Sequence, residues 1–406
     1  MHVIFVEPAF PFNQRKFVRG LAEVGAQVSA IGEVSASGLP GDIKRMLYDY
    51  EEVSSVVNQQ ALLDAVRRLQ RRSWVDRLEA TIEAHIMTTA EVREASGIPG
   101  TSVRTSYLCR DKPSMKEFLR AAGVPCAQST AASSGEEVRE FAEMVGYPLI
   151  IKPRSGAGAS GTSRVEDARE LEIAIAEAGF ERGASVAVEE FVDGHEGFYD
   201  TITVGGEIGH EFLTHYYPRV LSAMRERSVS PMFIATNRVD ADGYNEVKAL
   251  GAKVIEALGL ETSATHMEWF YGEKGLKFSE IGCRPPGVGA WDLYCASNDM
   301  DVYREWAAAI VHGRTIDRPS RRFAAGIVNL RPDRDGRITG YEGIDEMERE
   351  LGEWIIDYHF PPIGSRTQPV EAGYMANAWV RLKYPDYDQL RRLLEMVGER
   401  VRVRAA

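Results

Sequence analysis

Two carboxylates have the residue type and the spacing to do chemistry. Glu268 and Glu280 lie twelve positions apart (280 minus 268), each within a short run of strand-forming residues, with turn residues at 272–275 between them. These signals predict a β-hairpin. Because side chains alternate along a strand and pair across a hairpin, both carboxylates could face one cation. Magnesium prefers such ligands together with substrate phosphates, so the pair predicts a nearby nucleotide triphosphate; the alternative is an exposed hairpin with ordinary acids.

Two lysines precede this hairpin at positions that suit anion binding. Lys112 lies before Pro113 at the start of a predicted helix, where its ammonium group could reach a phosphate. On that pattern alone, a solvated lysine is the better explanation. Lys152 ends an apolar run at 147–151, where a charge is costly unless an anion or an acid lies beside it. We therefore expect an anionic partner for Lys152.

The loop after Lys152 is rich in small residues that could wrap around phosphate oxygens. Its candidate binding residues are Ser155, Gly156, Gly158, Ser160 and Gly161. The three glycines match the dinucleotide-binding pattern, but that pattern should turn directly from a strand into a helix. Residues 162–165 look extended instead, so a glycine-rich hairpin loop fits better. An ordinary flexible hairpin is the alternative.

A third candidate stretch is a strand that runs into a turn. It contains Glu189, Glu190 and Val192, with a further acid at Glu196. A strand-to-turn hinge offers free backbone N–H and C=O groups to an adenine edge, and a following acid can accept hydrogen bonds from ribose hydroxyls. On its own, this stretch does not establish a nucleotide site.

The elements that must position these residues fall into four predicted domains. A β-α-β opening with strands at 3–6, 28–31, 53–57 and 78–82 predicts a small parallel sheet that is structural or substrate-facing. Residues 224–239 read as a loop that could select an anionic substrate, or as a solvated surface loop. The predicted boundaries are 1–107, 108–187 with the glycine-rich loop, 188–316 with the hairpin, and 317–406 as a small α+β unit.

The amino-acid composition limits the kinds of molecule that this protein could bind. The chain has 406 residues, 44% of them hydrophobic, which is enough for several domains with real cores. A net charge of -12 argues against broad contact with nucleic acid and favours a small-molecule partner. No basic leader precedes the first apolar run, and no apolar stretch approaches the roughly 20 residues of a membrane span. We therefore expect a cytoplasmic protein with no membrane partner, whose four cysteines are reduced thiols.

The order of these signals, from the first lysine to the paired acids, resembles the ATP-grasp superfamily over residues 110–314. The resemblance implies an ATP-grasp fold of α/β and α+β multidomain type, with an N-terminal parallel βαβ domain and a small C-terminal α+β domain. It also implies that Lys112 and Lys152 hold ATP phosphates under a loop at 155–162. Glu189, Glu190 and Val192 would form the adenine hinge. Glu196 lies where D-alanine:D-alanine ligase and biotin carboxylase place the ribose acid.

The resemblance also covers the hairpin, where Glu268 and Glu280 would be the ligands of Mg²⁺, with Mn²⁺ as a possible substitute. The sequence FSEIGCRPPGVG is similar to the purine-pathway ligases and the L-amino-acid ligases, which carry an arginine four positions after the second acid. Arg284 is that arginine, and its planar charged group suits an acyl phosphate or a transferring phosphoryl group. Gly282 replaces the asparagine of many relatives, which leaves a third metal contact in doubt.

The activity implied by the resemblance is that of an ADP-forming carbon–nitrogen ligase. ATP would phosphorylate a small-molecule carboxylate, and an amine would capture the acyl phosphate to give an amide. Arg284 and Lys152 are the candidate catalytic residues. The alternatives are a phosphotransferase or a carboxylase on the same scaffold, and a non-catalytic ATP-binding module. Relatives often form homodimers, and the identity of both substrates stays open.

Overall fold

The computed structural model describes residues 1–154, 161–223, 226–370 and 376–406. Four sheets form among these residues: a four-stranded parallel sheet, a four-stranded antiparallel sheet, an eight-stranded sheet and a two-stranded one. The α/β and α+β multidomain architecture expected from the sequence is therefore confirmed. No described helix is both long enough and apolar enough to cross a membrane.

The N-terminal unit is the predicted parallel sheet, with strand order β3-β2-β1-β4. Its strands are β1 (His2–Val6), β2 (Gln27–Gly32), β3 (Asp49–Glu52) and β4 (Arg77–Glu79). Its helices are α1 (Gln14–Glu23), α2 (Gly41–Met46), α3 (Gln59–Gln70) and α4 (Ile86–Ser96), with a 3-10 turn at Glu83–His85 before α4.

The third strand of this sheet corrects the sequence prediction. It lies at Asp49–Glu52 and not at 53–57. The strand is charged because it is an edge strand, and Glu51 pairs there with Arg68 of α3 and with Arg72, just past the end of that helix. Val53 and Val56 are buried, but they belong to the loop that leads into α3. The apolar residues therefore pack in a loop while the polar residues form the ladder.

The next unit surrounds a small antiparallel sheet with strand order β5-β8-β6-β7. Its strands are β5 (Ser129–Ala132), β6 (Leu149–Pro153), β7 (Ser163–Val165) and β8 (Val186–Glu190). Its helices are α5 (Val103–Leu108), α6 (Lys112–Ala121), α7 (Gly135–Val145) and α8 (Ala168–Glu177), with a 3-10 turn at Phe180–Arg182. Residues 163–165 form a strand after the glycine-rich loop, as the sequence predicts.

The eight-stranded sheet carries most of the candidate site. Its first five strands in the chain are β9 (His195–Val204), β10 (Glu207–Tyr217), β11 (Met232–Ala235), β12 (Ser263–Gly272) and β13 (Gly275–Gly282). The helices around them are α9 (Val220–Ala223), α10 (Asn245–Leu258), α11 (Ala290–Asn298) and α12 (Val302–His312), with a 3-10 turn at Asp242–Tyr244. The loop predicted for 224–239 is wrong over Met232–Ala235. These four buried residues form strand β11, which pairs with β10.

The C-terminal residues complete the same sheet. They form β14 (Ala324–Leu330), β15 (Ile338–Glu342), β16 (Ile355–His359), β17 (Ala378–Tyr384) and β18 (Arg402–Ala405), with helices α13 (Ile344–Leu351) and α14 (Tyr387–Arg400) and a 3-10 turn at Gly352–Trp354. The sheet order is β13-β12-β9-β10-β11-β14-β17-β16, while β15 and β18 pair separately. The α+β segment predicted from residue 317 therefore shares its largest sheet with the preceding segment.

The two faces of β9 pack against different parts of the molecule. Phe198 and Ile202 join a buried cluster with β1, α1, α11 and α12, whereas Tyr199 joins the cluster that includes α10. Because side chains alternate along a strand, Glu196 and Asp200 lie on the Phe198 face. That face meets the N-terminal unit and carries the candidate site.

Candidate active site

The two carboxylates of the hairpin lie directly opposite each other. Strands β12 and β13 pair in antiparallel register with Glu268 opposite Glu280, and Gly272 opposite Gly275 closes the turn. A β-bulge between Glu268 and Trp269 follows the pair, a feature that often re-aims side chains beside functional sites. The predicted hairpin is confirmed, and the role of the two acids as metal ligands stays a prediction.

The structure brings Lys112 and Lys152 to the same carboxylate. Lys112 Nζ lies 3.4 Å from Glu280 Oε2, and Lys152 Nζ lies 4.0 Å from that oxygen. Lys112 is the first residue of α6, which begins where the Asp111 carboxylate accepts a hydrogen bond from the Ser114 N–H. Arg154 holds Asp111 from the end of β6 through two hydrogen bonds of 3.0 and 2.9 Å. Two elements far apart in the chain thus fix both lysines against the hairpin.

A third lysine, which the sequence analysis missed, lies behind the first two. Lys116 is 1% exposed, and its Nζ lies 2.7 Å from Glu189 Oε2, the oxygen that is also 3.0 Å from Lys152 Nζ. Burial lowers the pKa of Lys116. Burial opposes the ionisation of Glu189, but Lys116 and Lys152 lower the pKa of that carboxyl to about 2. The sequence did hold a signal for this third lysine. Lys116 lies on the buried face of α6, next to Met115 and near Leu119.

A buried histidine supports Glu268 from its own strand. His266 Nδ1 lies 2.7 Å from Asp200 Oδ1, and its Nε2 lies 3.7 Å from Glu268 Oε1. Tyr294 donates a hydrogen bond of 2.5 Å to the other oxygen of Asp200. Burial opposes protonation of His266, but Asp200 and Glu268 raise its pKa to about 9. The resulting cation helps to lower the pKa of Glu268 against the effect of burial.

The position of His266 two residues before Glu268 was a signal that the sequence analysis did not use. Residues two apart in a strand point to the same face, so a histidine there reaches the candidate metal ligand. The partner Asp200 on β9 has no such local signal.

The predicted hinge is a strand end, and several of its polar groups have partners within the protein. Strand β8 pairs with β5 and β6, and Glu189 lies in both ladders. The backbone N–H of Glu190 donates to Gln128 O at 2.9 Å, and its carboxylate lies 3.6 Å from Lys274 Nζ on the hairpin turn. Val192 is buried at 7% exposure. The binding roles predicted for Glu189, Glu190 and Val192 stay predictions.

The predicted ribose acid, Glu196, lies close to the hairpin carboxylates. It is 7% exposed, and its Oε2 accepts a hydrogen bond of 2.9 Å from the Val220 N–H. Burial and the negative charge of Glu268 raise the pKa of Glu196 to about 8. This carboxyl group therefore keeps its proton to a higher pH than an ordinary glutamate does.

The candidate catalytic arginine is held by the N-terminal unit. Arg284 Nε lies 2.7 Å from Glu83 Oε2, and Arg284 donates a second hydrogen bond of 2.8 Å to Pro285 O. The other oxygen of Glu83 lies 3.4 Å from Arg110 Nε. The sequence analysis missed Glu83, which follows β4 and lies 201 positions before its partner. Cys283 is a free thiol, as expected for all four cysteines, and it lines a small cavity together with Arg284.

The glycine-rich loop is only partly described. Four of its predicted binding residues lie outside the described residues: Ser155, Gly156, Gly158 and Ser160. Gly161 has a φ of +71°, a left-handed conformation, and a side chain there would meet the Pro153 ring at 3.1 Å. The left-handed backbone and this close contact favour glycine where the chain enters β7.

The residues present fit the metal that the resemblance implies. Among residues 1–154, 161–223, 226–370 and 376–406, no group of three or more His, Cys, Asp or Glu side chains is arranged to hold a metal ion. Magnesium commonly uses only one or two protein carboxylates, with substrate phosphates and water as its other ligands. Glu268 and Glu280, paired beside two lysines, satisfy that requirement.

Comparison with known proteins shows which family this chain resembles. Residues 117–299 match the family model of the ATP-grasp domain. The uncharacterized protein y4rH of Sinorhizobium fredii is 26% identical over 74% of this chain and 63% of its own length. The L-arginine-specific L-amino acid ligase of Bacillus subtilis is 25% identical over 68% of each chain. The chain thus spans about two thirds of the length of these relatives.

The structural comparison covers nearly the whole of both molecules. The crystal structure of an L-amino acid ligase from Bacillus licheniformis superimposes with a TM-score of 0.77 over 100% of this chain and 98% of that one, at 17% identity. At this identity, the likeness shows the fold. The ATP-grasp fold predicted from the sequence is therefore confirmed.

Proposed function

We propose that this chain, whose residues 117–299 match the family model of the ATP-grasp domain, is an ATP-dependent carboxylate–amine ligase. It joins a small-molecule carboxylate to an amine through an acyl phosphate and releases ADP and phosphate. The observation that carries this proposal is the convergence of Lys112 and Lys152 on Glu280, directly opposite Glu268. The ligase names of similar proteins support it.

The lysines and the hairpin acids have complementary tasks in this reaction. Lys112 and Lys152 neutralise the phosphate charge that builds up as ADP leaves, and they are already positioned by α6 and β6. Glu268 and Glu280 would hold Mg²⁺, which shields phosphate charge when it is bound. His266, held by Asp200, keeps the Glu268 carboxylate oriented and ionised.

Arg284 serves the carboxylate substrate. Its guanidinium group is planar and permanently charged, so it can bind two oxygens of an acyl phosphate at once. Glu83 holds this group through its Nε and Pro285 O accepts from its Nη1, so the remaining N–H groups of the guanidinium would face the substrate. The reaction requires no side-chain nucleophile, because the substrate carboxylate attacks the γ-phosphate and the amine attacks the acyl phosphate. Catalysis then rests on positioning and charge neutralisation.

A hydroxylamine trap tests the proposal. Purified protein is incubated with Mg·ATP, hydroxylamine and pooled amino acids and small carboxylic acids, and both ADP and hydroxamate are measured. We expect both products to rise together, because hydroxylamine captures an acyl phosphate. Glu280→Gln should reduce both by at least about a hundredfold, since it removes one carboxylate of the pair.

The matched control is Glu273→Gln, on the exposed turn of the same hairpin, which should leave both rates unchanged. Unchanged products in Glu280→Gln would contradict the proposal. A rise in ADP without hydroxamate, together with a stable phosphorylated alcohol, would instead indicate phosphoryl transfer to a hydroxyl group.

A further inference from the structure

One cation near the candidate site is almost entirely buried. The side chain of Lys116 is 1% exposed, compared with 12% for the side chain of Lys152. Burying a charge in this way is costly unless an opposite charge lies beside it. The function of Lys116 must therefore lie in the carboxylate that it faces.

That carboxylate belongs to Glu189, and two lysines share one of its oxygens. Lys116 Nζ lies 2.7 Å from Glu189 Oε2, and Lys152 Nζ lies 3.0 Å from the same oxygen. The other oxygen, Oε1, is buried with no hydrogen-bond partner among the described residues. Burial, together with the nearby charge of Lys152, lowers the pKa of Lys116. Glu189 therefore holds one more cation than its single charge balances.

Lys152 also has a second carboxylate within reach. Its Nζ lies 4.0 Å from Glu280 Oε2 on the candidate metal hairpin, and Lys112 Nζ lies 3.4 Å from that oxygen. The side chain of Glu280 is 25% exposed, whereas that of Glu189 is 7% exposed. Lys152 thus stands between a buried carboxylate and one that is open to a ligand.

The fold fixes the two lysines of Glu189 in different ways. Lys116 lies within α6 on the same face as Lys112, four positions earlier, so one helix presents a lysine to each carboxylate. Lys152 lies one residue before the end of β6, diagonally across the ladder from Glu189 on β8. Its long side chain can change partner there, because the ammonium group ends a flexible stem.

We propose that Lys116 is a positioning residue that stays with Glu189 when Lys152 turns to a phosphate of the nucleotide. Without Lys116, this movement would leave a buried carboxylate without compensation, so Glu189 would hold Lys152 back. With Lys116 in place, Glu189 keeps a counter-ion and Lys152 is available to the phosphate. The inference rests on the proposed function, in which Lys152 neutralises phosphate charge, and it assigns a role to a lysine that need not touch the nucleotide.

A double-mutant cycle on nucleotide binding tests this role. Calorimetry measures the affinity for a non-hydrolysable ATP analogue with Mg²⁺ in the wild type, Lys116→Met, Glu189→Gln and the double variant. Methionine keeps a long unbranched side chain without the charge, and Lys116→Met should weaken binding at least about tenfold because Glu189 then retains Lys152. In the Glu189→Gln background, the same change should alter the affinity by less than about twofold, because no carboxylate charge remains for Lys116 to balance.

The coupling separates this role from a merely structural one. A lysine that only supports the fold would cost the same affinity in both backgrounds, and that result would overturn the inference. Unchanged affinity in a folded Lys116→Met variant would also overturn it. If Lys116→Met alone does not fold, the two proteins that carry Glu189→Gln decide: equal affinities would support the inference, and a tenfold loss on removing Lys116 would overturn it.

The matched control is Lys253→Met, which removes a lysine charge beside the same helix. Lys253 is an exposed residue of α10, and its Nζ donates a hydrogen bond of 2.7 Å to Gly123 O, just after α6. This variant should bind the ATP analogue as the wild type does.

The two proposals fail in different ways. Hydroxamate formation by the wild type, with equal nucleotide affinities in the wild type and Lys116→Met, would contradict the role of Lys116 and leave the ligase proposal standing. The expected coupling between Lys116 and Glu189 without hydroxamate formation would contradict the ligase proposal and leave the role of Lys116 standing.

Discussion

Charged residues of the candidate site form ion pairs with each other. Glu189 lies between Lys116 and Lys152, and Glu280 lies beside Lys112. Removing one partner of such a buried pair leaves a charge without compensation, which is costly. Bound phosphates would compete with Glu280 for the lysines, so the cluster holds the cations in place before a ligand arrives. This pre-organisation is what catalysis by charge neutralisation requires.

Glu196→Gln is expected to stabilise the nucleotide-free protein at pH 8. Burial and Glu268 raise the pKa of Glu196 from 4.5 to about 8. The folded state therefore binds more protons than the unfolded state between these values, so the contribution of Glu196 to stability falls as the pH rises from 4.5 to 8. Glutamine does not ionise, so the variant avoids this loss of folding stability at pH 8. Its side-chain oxygen can still accept the hydrogen bond from the Val220 N–H.

Thermal unfolding of both proteins at pH 5 and pH 8 measures the effect. The variant should melt at a higher temperature than the wild type at pH 8, and the gap should shrink at pH 5. Glu207→Gln, at the exposed start of β10, is the control and should show the same small difference at both values. A gap for Glu196→Gln that does not change with pH would contradict the assigned cause.

The residues that could be predicted are those with a local signal. Lys112 at a helix start, Lys152 at a strand end, and the hairpin acids each lie in a pattern written in adjacent residues. Asp200 and Glu83 could not be predicted, because their partners lie 66 and 201 positions away and only the fold brings them together. The sequence thus indicates the residues that converge at the candidate site better than the residues that hold them in place.

At the scale of elements, the hairpin turn and the hinge loop meet backbone to backbone. A side chain at Gly272 would lie 2.1 Å from Asp193 O, and one at Gly194 would lie 2.6 Å from Tyr271 O. Two glycines therefore permit this crossing. The contact sets the position of the candidate metal hairpin relative to the candidate adenine hinge.

Gly272→Ala is expected to weaken binding of an ATP analogue at least tenfold. The added methyl group meets backbone atoms that cannot rotate away, so the hairpin and the hinge must separate, at a cost of about 1–3 kcal/mol in stability. Gly275→Ala is the matched control on the same turn. Its left-handed φ of +74° costs about 1–2 kcal/mol, but no described atom lies within 4 Å of the new side chain.

Calorimetric titration and urea denaturation of both variants separate the two effects. We expect both to lose stability and only Gly272→Ala to lose affinity. Equal affinities would show that the crossing does not position the hinge.

Helices and strands could be predicted from the sequence where their hydrophobic periodicity covers many residues or where turn residues mark their ends. Helix α10 and the β12–β13 hairpin carry clear periodicity and turn residues. Strand β11 has only four residues, and its place in the sheet depends on β14, whose pairing residues lie 90 or more positions further along the chain. Strand β3 is polar because it lies at an edge, so its composition gives no strand signal.

At the scale of the whole molecule, one carboxylate joins three parts of the chain. Asp292, on α11, lies 2.6 Å from Lys16 Nζ of α1 and 3.0 Å from Arg381 Nη1 of β17. Burial opposes its ionisation, but Lys16 and Arg381 lower the pKa of Asp292. The Arg381 guanidinium also lies against Gly289, in the loop that follows Arg284. The network therefore ties the N-terminal unit and the last strands to the candidate site.

Asp292→Asn is expected to destabilise the protein by about 3 kcal/mol. The change leaves Arg381, at 7% exposure, with Asp357 as its remaining charged partner among the described residues, and it removes the partner of Lys16. Urea denaturation followed by tryptophan fluorescence measures the loss. The matched control is Glu172→Gln, which breaks an exposed pair with Arg139 between α7 and α8 and should change stability little. The Asp292 network joins segments that are far apart in the chain, whereas the control pair does not. Similar losses of stability in both variants would therefore show that the network does not hold the units together.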